Sequence, residues 1–560
     1  MNWYLTFIDL LTVAFLLVMA RHTFLRSRFF LHIFQLKGYK FNEYRQWCFE
    51  HWNERVITPE HVLYNLLILI LLWLLSDTVT GSAAVIILSV FGIFWFGRFD
   101  YYAEEKRKKP LVLTDRVKRL LVPFVLLSLL LPFAATMASM AGYIPGTGLS
   151  FRTPPLQMAD IYILAFGWVL ADALPPLWIW AAGRIMQPVE ERINQGYIRQ
   201  AREKLAAMPE LTVVAITGSY GKTTTKFMLR DLLGERYRVC ATPASYNTPM
   251  GICKVINNRL EAHDQVLILE MGARYEGNID ELCDIAEPDI AVVTNVGIAH
   301  LETFGSQEAI ARTKSTVVRR LPAGGVAVLN ADDERVRAMG GERDDIRVIT
   351  AGMEGGDLRA GEVAYGPEGT SFTLVEGEDV EGREQISMRL LGAHNVQNLL
   401  LAAAVARHMG LRLKTIAVAA RRIEPVEHRL ELKKQNGLTV IDDAFNSNPT
   451  GARNALEILG SFEGGRRVII TPGMIELGEL QEEKNREFGE QIGRAGLDLV
   501  ILVGEKRTEP IYEGIRSTGF DMEKVKRAGG LFQANEMMQD FAREGDVVLY
   551  ENDLPDSFDE

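Results

Sequence analysis

Three features follow one another between Leu211 and Tyr237: an apolar run "LTVVAI", a glycine turn "TGSYGKT", and a helically spaced run "FMLRDLLGERY". A strand that feeds a helix through a glycine turn leaves backbone N–H groups converging at the helix N-terminus, which is an anion site. Lys222 adds a compact positive charge for phosphate oxygens, and Thr223 offers a hydroxyl to Mg²⁺. The usual spacing opens on a glycine where this chain has Ile216, so the turn is Gly218-x-x-Gly221-Lys222-Thr223.

Strand-like and helix-like runs alternate from there on. "QVLILE" (265–270), "DIAVVT" (289–294) and "GVAVLN" (325–330) have the length and β-branched content of buried strands. That order predicts an α/β fold, with a P-loop-type parallel-sheet central domain. Residues 345–390, rich in Gly and Glu with runs such as "SFTLV", read as an antiparallel insertion. "NVQNLLLAAAVARHMG" (395–410) predicts a helix closed by Gly410. Beyond 437, "LTVIDDA", "RRVIIT", "DLVILVG" and "DVVLYE" are strands with helical runs such as "NREFGEQIGRAG" between them, a second and smaller doubly wound domain.

The first third belongs to another solvent. All eight tryptophans lie in residues 1–185, among five apolar runs at 3–20, 60–76, 80–96, 120–142 and 160–182. Each is close to the ~17–25 residues a membrane span requires. Lys and Arg cluster in 21–59 and 98–119 and are nearly absent from 76–81 and 143–159. The positive-inside bias then puts the N-terminus outside and everything after about residue 183 inside. The expectation is an α-helical membrane domain of five spans, multi-pass in the inner (plasma) membrane, with the rest of the chain cytoplasmic. Asp9 and Asp172 fall inside spans, where an acid serves either a structural hydrogen bond near Pro175-Pro176 or a lipid-headgroup site. Residues 186–209 read as a charged linker helix, which gives domains at 1–185, 186–209, 210–418 and 419–560. A net charge of -11 argues against a nucleic-acid partner. Cys48, Cys240, Cys253 and Cys283 lack metal or redox spacing and read as free thiols.

Three more residues give the phosphate loop a context. Glu270 ends the strand "LILE", where a carboxylate can reach a metal beside phosphates; His300 follows the strand "DIAVVTNVG"; and Lys314 lies on the next helix. Each alone is an ordinary core or surface residue, whereas the three together form a metal constellation.

The stretches "TGSYGKTTT", "LILEMGARYEGNIDEL", "PDIAVVTNVGIAHLETFGS", "GAHNVQNLLLAAAVA", "EHRLE" and "VIDDAFNSNP" resemble the Mur ligases. The likeness covers roughly 205–550 and is nearest to the branch that adds D-alanyl-D-alanine to a UDP-N-acetylmuramoyl-tripeptide; "GMIELGE" (473–479) resembles that branch too. The resemblance implies an ADP-forming amide ligase, in which ATP phosphorylates a carboxylate and the amine of an amino acid or dipeptide attacks the acyl phosphate. It implies that Gly218, Ser219, Tyr220, Gly221, Lys222, Thr223 and Thr224 surround the ATP phosphates. Asn395, Arg429 and Asp443 would complete the nucleotide site, Asp443 at the ribose. Thr223 and Glu270 would hold one Mg²⁺, and His300 a second. Lys314 matches the family's carbamylated lysine, an anion that orients a metal, so Lys222, His300 and Lys314 are the catalytic candidates. Asn247, Asn446 and Asn448 would face the substrate.

Three departures bear on the substrate. Lys314 is followed by Ser-Thr where Gly-Glu is expected, the stretch "GDVVLYENDLPDSFDE" lacks a Lys-Gly-Ser-Arg-type end, and the five expected spans stand where the family has a UDP-binding domain. The expected partners are therefore an amino acid or D-Ala-D-Ala and a carboxylate acceptor held at the membrane, such as a lipid-linked cell-wall precursor or a surface polymer. Other readings remain open: a conventional ligase that is merely tethered, a poly-γ-glutamate-type synthase, a folylpolyglutamate synthase, a non-catalytic ATP-binding membrane sensor, or a transporter.

Overall fold

The computed structural model describes residues 2–57, 111–141, 173–366, 369–377, 382–425, 428–444, 448–462, 464–475 and 477–552. The chain divides into two compact units, residues 1–193 and 194–554.

The second unit contains two sheets. The first is built from β1 (Thr212–Thr217), β2 (Val239–Ala241), β3 (Val266–Glu270), β4 (Ile290–Val293), β5 (Val326–Asn330), β6 (Arg347–Gly352), β7 (Leu358–Gly366), β8 (Gly369–Glu376) and β9 (Arg383–Met388), in the order β2-β3-β1-β4-β5-β6-β7-β8-β9. Every residue of β3, β4 and β5 is buried, the pattern of strands covered on both faces. Alternate residues of β1 divide between the two cores. Val214 and Ile216 pack with Met228, Leu229 and Leu400, while Val213 and Ala215 pack with Ile252, Leu282 and Val317. The helices Lys222–Leu233 and Ala393–His408 thus cover one face, and Pro249–Asn258, Asn278–Ile285 and Gln307–Arg319 the other.

The antiparallel strands expected in 345–390 are present as β7, β8 and β9, but they continue this sheet. β6 joins β5 in parallel, β7 joins β6 in parallel, β8 runs antiparallel to β7, and β9 runs antiparallel to β8.

The second sheet runs β10-β11-β15-β12-β13-β14, from β10 (Glu431–Gln435), β11 (Leu438–Asp443), β12 (Arg467–Thr471), β13 (Leu499–Val503), β14 (Val525–Ala528) and β15 (Val547–Glu551). All its pairings are parallel except β10 with β11. Parallel pairing fixes which ends meet. Ile216 is in register with Glu270, Thr217 with Val293, and Asp443 with Glu551. The carboxyl ends of the strands therefore carry the polar residues of both sheets.

The first unit is helical. Among the described residues its helices are Asn2–Leu36, Phe41–Glu50, Asp115–Ala141 and the one that starts at Pro175, with a π-helical turn at Trp52–Val56. Phe30, Phe34, Tyr44, Trp47, Val117 and Ile179 form its core. The buried Glu190 accepts both prongs of Arg119, at 2.7 and 2.9 Å. The helix Pro175–Ala206 continues without a break through Pro188, so the expected last span and linker helix share one element.

The multi-pass placement in the plasma membrane, N-terminus outside and the remainder cytoplasmic, is corrected. Among the described residues no helix is long and apolar enough to cross a membrane. A span takes about 20 consecutive apolar residues. The described side chains of the first helix include Arg21, His22, Arg26, Arg28 and His32, and Arg26 is buried there, donating to the Val56 carbonyl. The helix from Pro175 reaches Arg184 after a short apolar start. The runs 60–76 and 80–96, most of 160–182, Asp172 and the side chain of Asp9 lie outside the described residues. The ground for a membrane partner and a lipid-linked acceptor goes with the spans. All four cysteines are free thiols.

Candidate active site

The turn after β1 is shaped by two glycines. Gly218 sits at φ +151, and a Cβ there would collide with the Thr294 side chain; Gly221 sits at φ +78, and a Cβ there would strike the Asn398 amide. Both conformations are in the region that favours glycine. The turn is stitched to the segment after β4. Tyr220 N donates to Asn295 Oδ1 at 2.9 Å, Gly297 N donates to Ser219 Oγ at 2.9 Å, and Thr294 Oγ1 donates to the Tyr220 carbonyl at 2.5 Å. Burial pushes the Tyr220 hydroxyl well above its usual range.

Lys222 opens the following helix. Its Nζ donates to the carbonyls of Gly218 at 2.8 Å and Ser219 at 3.1 Å, so it folds back over the loop it follows. Burial lowers its pKa, with Glu270 opposing. Thr223 Oγ1 donates to Glu270 Oε2 at 2.9 Å, and Thr224 is buried beside it.

Glu270 is the centre of the arrangement. Lys226 Nζ lies 3.0 Å from the same Oε2, and Asn247 Nδ2 donates to Oε1 at 3.1 Å. Burial opposes ionisation of this carboxyl, but Lys226 and Lys222, with hydrogen bonds from Lys226 and Thr223, outweigh it and hold the pKa below the usual value. From the second sheet's side, Arg429 Nη2 donates to Thr223 Oγ1 at 3.4 Å. Three cations thus surround one carboxylate, a balance that favours a polyanionic ligand.

Lys314 is buried on the helix Gln307–Arg319, and among the described residues it has no hydrogen-bond or ion-pair partner. Burial, reinforced by the neighbouring Lys222 charge, drives its pKa well below the ordinary lysine value. His300 takes a left-handed backbone, φ +59, at the start of the helix Leu301–Phe304. Asp443 ends β11, accepts from Leu430 N at 3.2 Å, and is pushed up to about 7 by burial and the Glu551 charge. Glu551 in turn accepts from Thr471 Oγ1 at 2.5 Å.

The structure therefore gathers Gly218 to Thr224, Asn247, Glu270 and Arg429, with Lys314 beside Lys222. It turns two expected residues elsewhere. Asn395 is buried and donates to the Leu391 carbonyl at 2.8 Å, and Asn448 caps the helix Pro449–Ser461 by accepting from Gly451 N at 2.9 Å. Asn446 lies outside the described residues. Among the described residues no group of three or more His, Cys, Asp or Glu is arranged to hold a metal ion. The oxygens at hand, the Thr223 hydroxyl and the Glu270 carboxylate, are the hard donors Mg²⁺ takes when it keeps most of its waters and binds with phosphates.

Sequence reasoning missed Lys226, although it closes the stretch "GKTTTK". It stands three residues after Thr223 on one helix, so the two side chains share a face. It missed Glu551 as well, having read "YEND" only as the lack of a basic motif.

A doubly wound sheet with a glycine-turn phosphate site, joined to a second parallel sheet that sends an arginine to it, defines a two-lobed nucleotide-using α/β enzyme. Residues 216–406 match the Mur ligase middle domain, and 428–550 match the Mur ligase glutamate ligase domain. The chain belongs to the Mur ligase family and is an ATP-dependent ligase of that type. Over 412 residues it is 36% identical to the UDP-N-acetylmuramoyl-tripeptide–D-alanyl-D-alanine ligase of Mycobacterium bovis, covering 68% of this chain and 79% of the relative. The enzyme of the same name from Bacillus subtilis is 31% identical, over 60% of this chain and 72% of the relative. Among solved structures, MurF from Acinetobacter baumannii aligns with a TM-score of 0.58 at 27% identity, covering 64% of this chain and 77% of that one. MurF from Thermotoga maritima in complex with ADP aligns with a TM-score of 0.57 at 29% identity, covering 64% and 80%. Family members use ATP and Mg²⁺.

Proposed function

We propose that this chain joins D-alanyl-D-alanine, or a closely similar amine, to a substrate carboxylate in peptidoglycan precursor synthesis, forming ADP and phosphate. The observation that carries this reading is the buried Lys314 beside Lys222, without a hydrogen-bond or ion-pair partner among the described residues. A neutral buried lysine amine can add CO₂ as a carbamate, and the anion so formed would complete a site that otherwise holds a surplus of cations. The relatives' activities supply the amine and the UDP-linked tripeptide as the first substrates to try.

The chemistry is a phosphoryl transfer followed by an acyl transfer. A substrate carboxylate oxygen attacks the γ-phosphorus of ATP and ADP leaves. The amine then attacks the carbonyl carbon of the acyl phosphate, phosphate leaves with the C–O electron pair, and the ammonium gives up its proton. Lys222, released from the Gly218 and Ser219 carbonyls, would take phosphate oxygens, and the N–H groups of the glycine turn would receive the rest. Arg429 would meet the transferring group from the second sheet, which ties turnover to the approach of that lobe. Mg²⁺, held by Thr223 and Glu270 and, for a second ion, by His300 with carbamylated Lys314, would neutralise charge on the phosphates. Asp443, held near the strand end by Leu430 N, is suited to a ribose hydroxyl. Asn247 would turn from Glu270 toward substrate.

The test is phosphate release by the full chain with ATP, Mg²⁺ and UDP-N-acetylmuramoyl-tripeptide, against a panel of amino acids and D-Ala-D-Ala. The expected result is release that requires D-Ala-D-Ala and yields the pentapeptide product. Release driven by glutamate alone, or none with any amine, would overturn the proposal.

A further inference from the structure

The phosphate-loop helix carries a second lysine one turn after Lys222, and it is the more deeply enclosed of the two. The Lys226 side chain is 0% exposed and that of Glu270 2%. Besides its 3.0 Å approach to Glu270 Oε2, Lys226 Nζ donates to the Ala244 carbonyl and stands 4.5 Å from the centre of the Phe227 ring. Ala244 is itself held at φ +43, a left-handed conformation unfavourable to a residue with a Cβ, so the loop 242–247 is bent to offer that carbonyl. The two oxygens of Glu270 are unequal as a result. Oε2 is engaged by Lys226 and Thr223, whereas among the described residues Oε1 carries only the neutral amide of Asn247.

We infer that Lys226 is the built-in counter-cation of Glu270: it neutralises the acid before nucleotide arrives and keeps a divalent ion from settling there alone. The inference rests on Glu270 being a metal ligand, as proposed above. Lys222, Lys226 and Arg429 face a single carboxylate. A dication approaching alone meets a surplus of positive charge, and in a buried site that repulsion is poorly screened. A nucleotide brings several negative charges and reverses the balance, so metal enters as the metal–nucleotide pair. Lys226 stays on Oε2 and leaves Oε1 for exchange with the ion, Asn247 being a neutral and easily displaced partner. Lys226 is in this sense a positioning residue that sets the order of loading.

The experiment titrates Mn²⁺ into the full chain, reading free Mn²⁺ by its electron paramagnetic resonance signal, with and without ADP. In the parent protein, binding without ADP should be at least tenfold weaker than with it. Lys226→Met should bind Mn²⁺ without ADP at least tenfold more tightly than the parent, narrowing the gap. Lys226→Arg, which keeps the charge, should behave as the parent does. An unchanged gap in Lys226→Met, or an Arg variant that behaves like the Met variant, overturns the inference. Should Lys226→Met fail to fold by circular dichroism, a parent gap below threefold overturns it and a retained tenfold gap in both the parent and Lys226→Arg supports it. Glu270→Gln separates the two claims. If that variant binds Mn²⁺ with ADP as the parent does, the metal-ligand reading falls and the inference with it. If it loses Mn²⁺ while Lys226→Met changes nothing, only the inference falls.

Discussion

Arg429 and Thr223, 206 residues apart in sequence, meet at 3.4 Å, the arginine Nη2 donating to the threonine hydroxyl. One belongs to the residues just before β10, the other to the helix after β1, so the second sheet already reaches the phosphate loop of the first. Burial of His394, pushed down to about 4 and hence neutral, lets its Nδ1 pair with Asn454 Nδ2 at 3.2 Å along the same seam.

Arg429→Ala should leave the fold intact and remove ATP turnover. An arginine on a transferring phosphoryl group is worth about 10³–10⁵ in rate where it has been removed elsewhere. ADP formation should fall by at least ~10²-fold, while the melting temperature moves by no more than about 2 °C. Ligation at the parent's rate would remove Arg429 from the nucleotide site.

Lys314→Met should abolish ligation yet stabilise the fold at neutral pH. The folded-state pKa of Lys314 is depressed, so the unfolded chain binds the extra proton at any pH between that value and the ordinary lysine pKa. Stability therefore rises with pH across that window, and below it the buried lysine is a cost. Each pKa unit of depression corresponds to about 1.4 kcal/mol, so the Met variant should gain on the order of 1 kcal/mol or more in urea denaturation at pH 7 in CO₂-free buffer. If the amine carries CO₂ in the working enzyme, the parent should also lose activity in CO₂-free buffer and regain it with bicarbonate.

Asp443 gives a dependence of the opposite sign. Its carboxyl is raised to about 7, so the folded state keeps a proton that the unfolded chain releases near pH 4. The stabilisation this supplies is complete below the unfolded value and is lost as pH climbs through about 7. Asp443→Asn should match the parent at pH 4.5 and exceed it by ~1–3 kcal/mol at pH 8 in chemical denaturation. Glu551→Gln should bring the midpoint of this dependence down, because it removes the neighbouring charge.

Glu190→Ala should cost the helical unit about 1–2 kcal/mol, since it takes the carboxylate from Arg119, whose side chain is 35% exposed and falls back in part on water. A lower melting temperature of that unit, with the phosphate-site residues unaffected in nucleotide binding, is the expected outcome. A change within 0.5 kcal/mol would mean that the Arg119 fork is solvated in the parent.

The parts legible in the sequence were those where local and tertiary demands coincide. The interiors of β1, β3, β4 and β5 are apolar because both faces are covered, and the glycine turn is unmistakable because only glycine fits at Gly218 and Gly221. β2 and β14, of three and four residues, and β10, the polar edge "ELKKQ", carry too little pattern to stand out. Residues 186–209 read as a separate linker helix, yet the helix runs on unbroken from Pro175 through Pro188. In the described parts of the apolar runs at 120–142 and 160–182, Leu120, Phe124 and Ile179 pack in one core with Phe30 and Phe34, and hydropathy does not separate such a helix from one in lipid. At the site, Lys222, Thr223 and Glu270 were singled out by their places at element ends, and the structure brings the three together. Lys226 was missed because a lysine in mid-helix is by default solvated, and only the fold shows Glu270 facing it. Asn448 was given to the substrate on its motif, whereas its side chain caps a helix.

Because the pairing is parallel, the groups named above crowd one edge of each sheet: Gly218, Glu270 and Thr294 on the first, Asp443, Thr471 and Glu551 on the second. Among the described residues the opposite edges carry tight connections such as those at Gly324, Gly437 and Gly496, all left-handed glycines. The molecule thus has a working rim and a spare one. Tags, fluorophores or inserted loops placed on the spare rim, at residues 323–325 or 436–437, leave the reaction chamber undisturbed and offer handles for watching the lobes move.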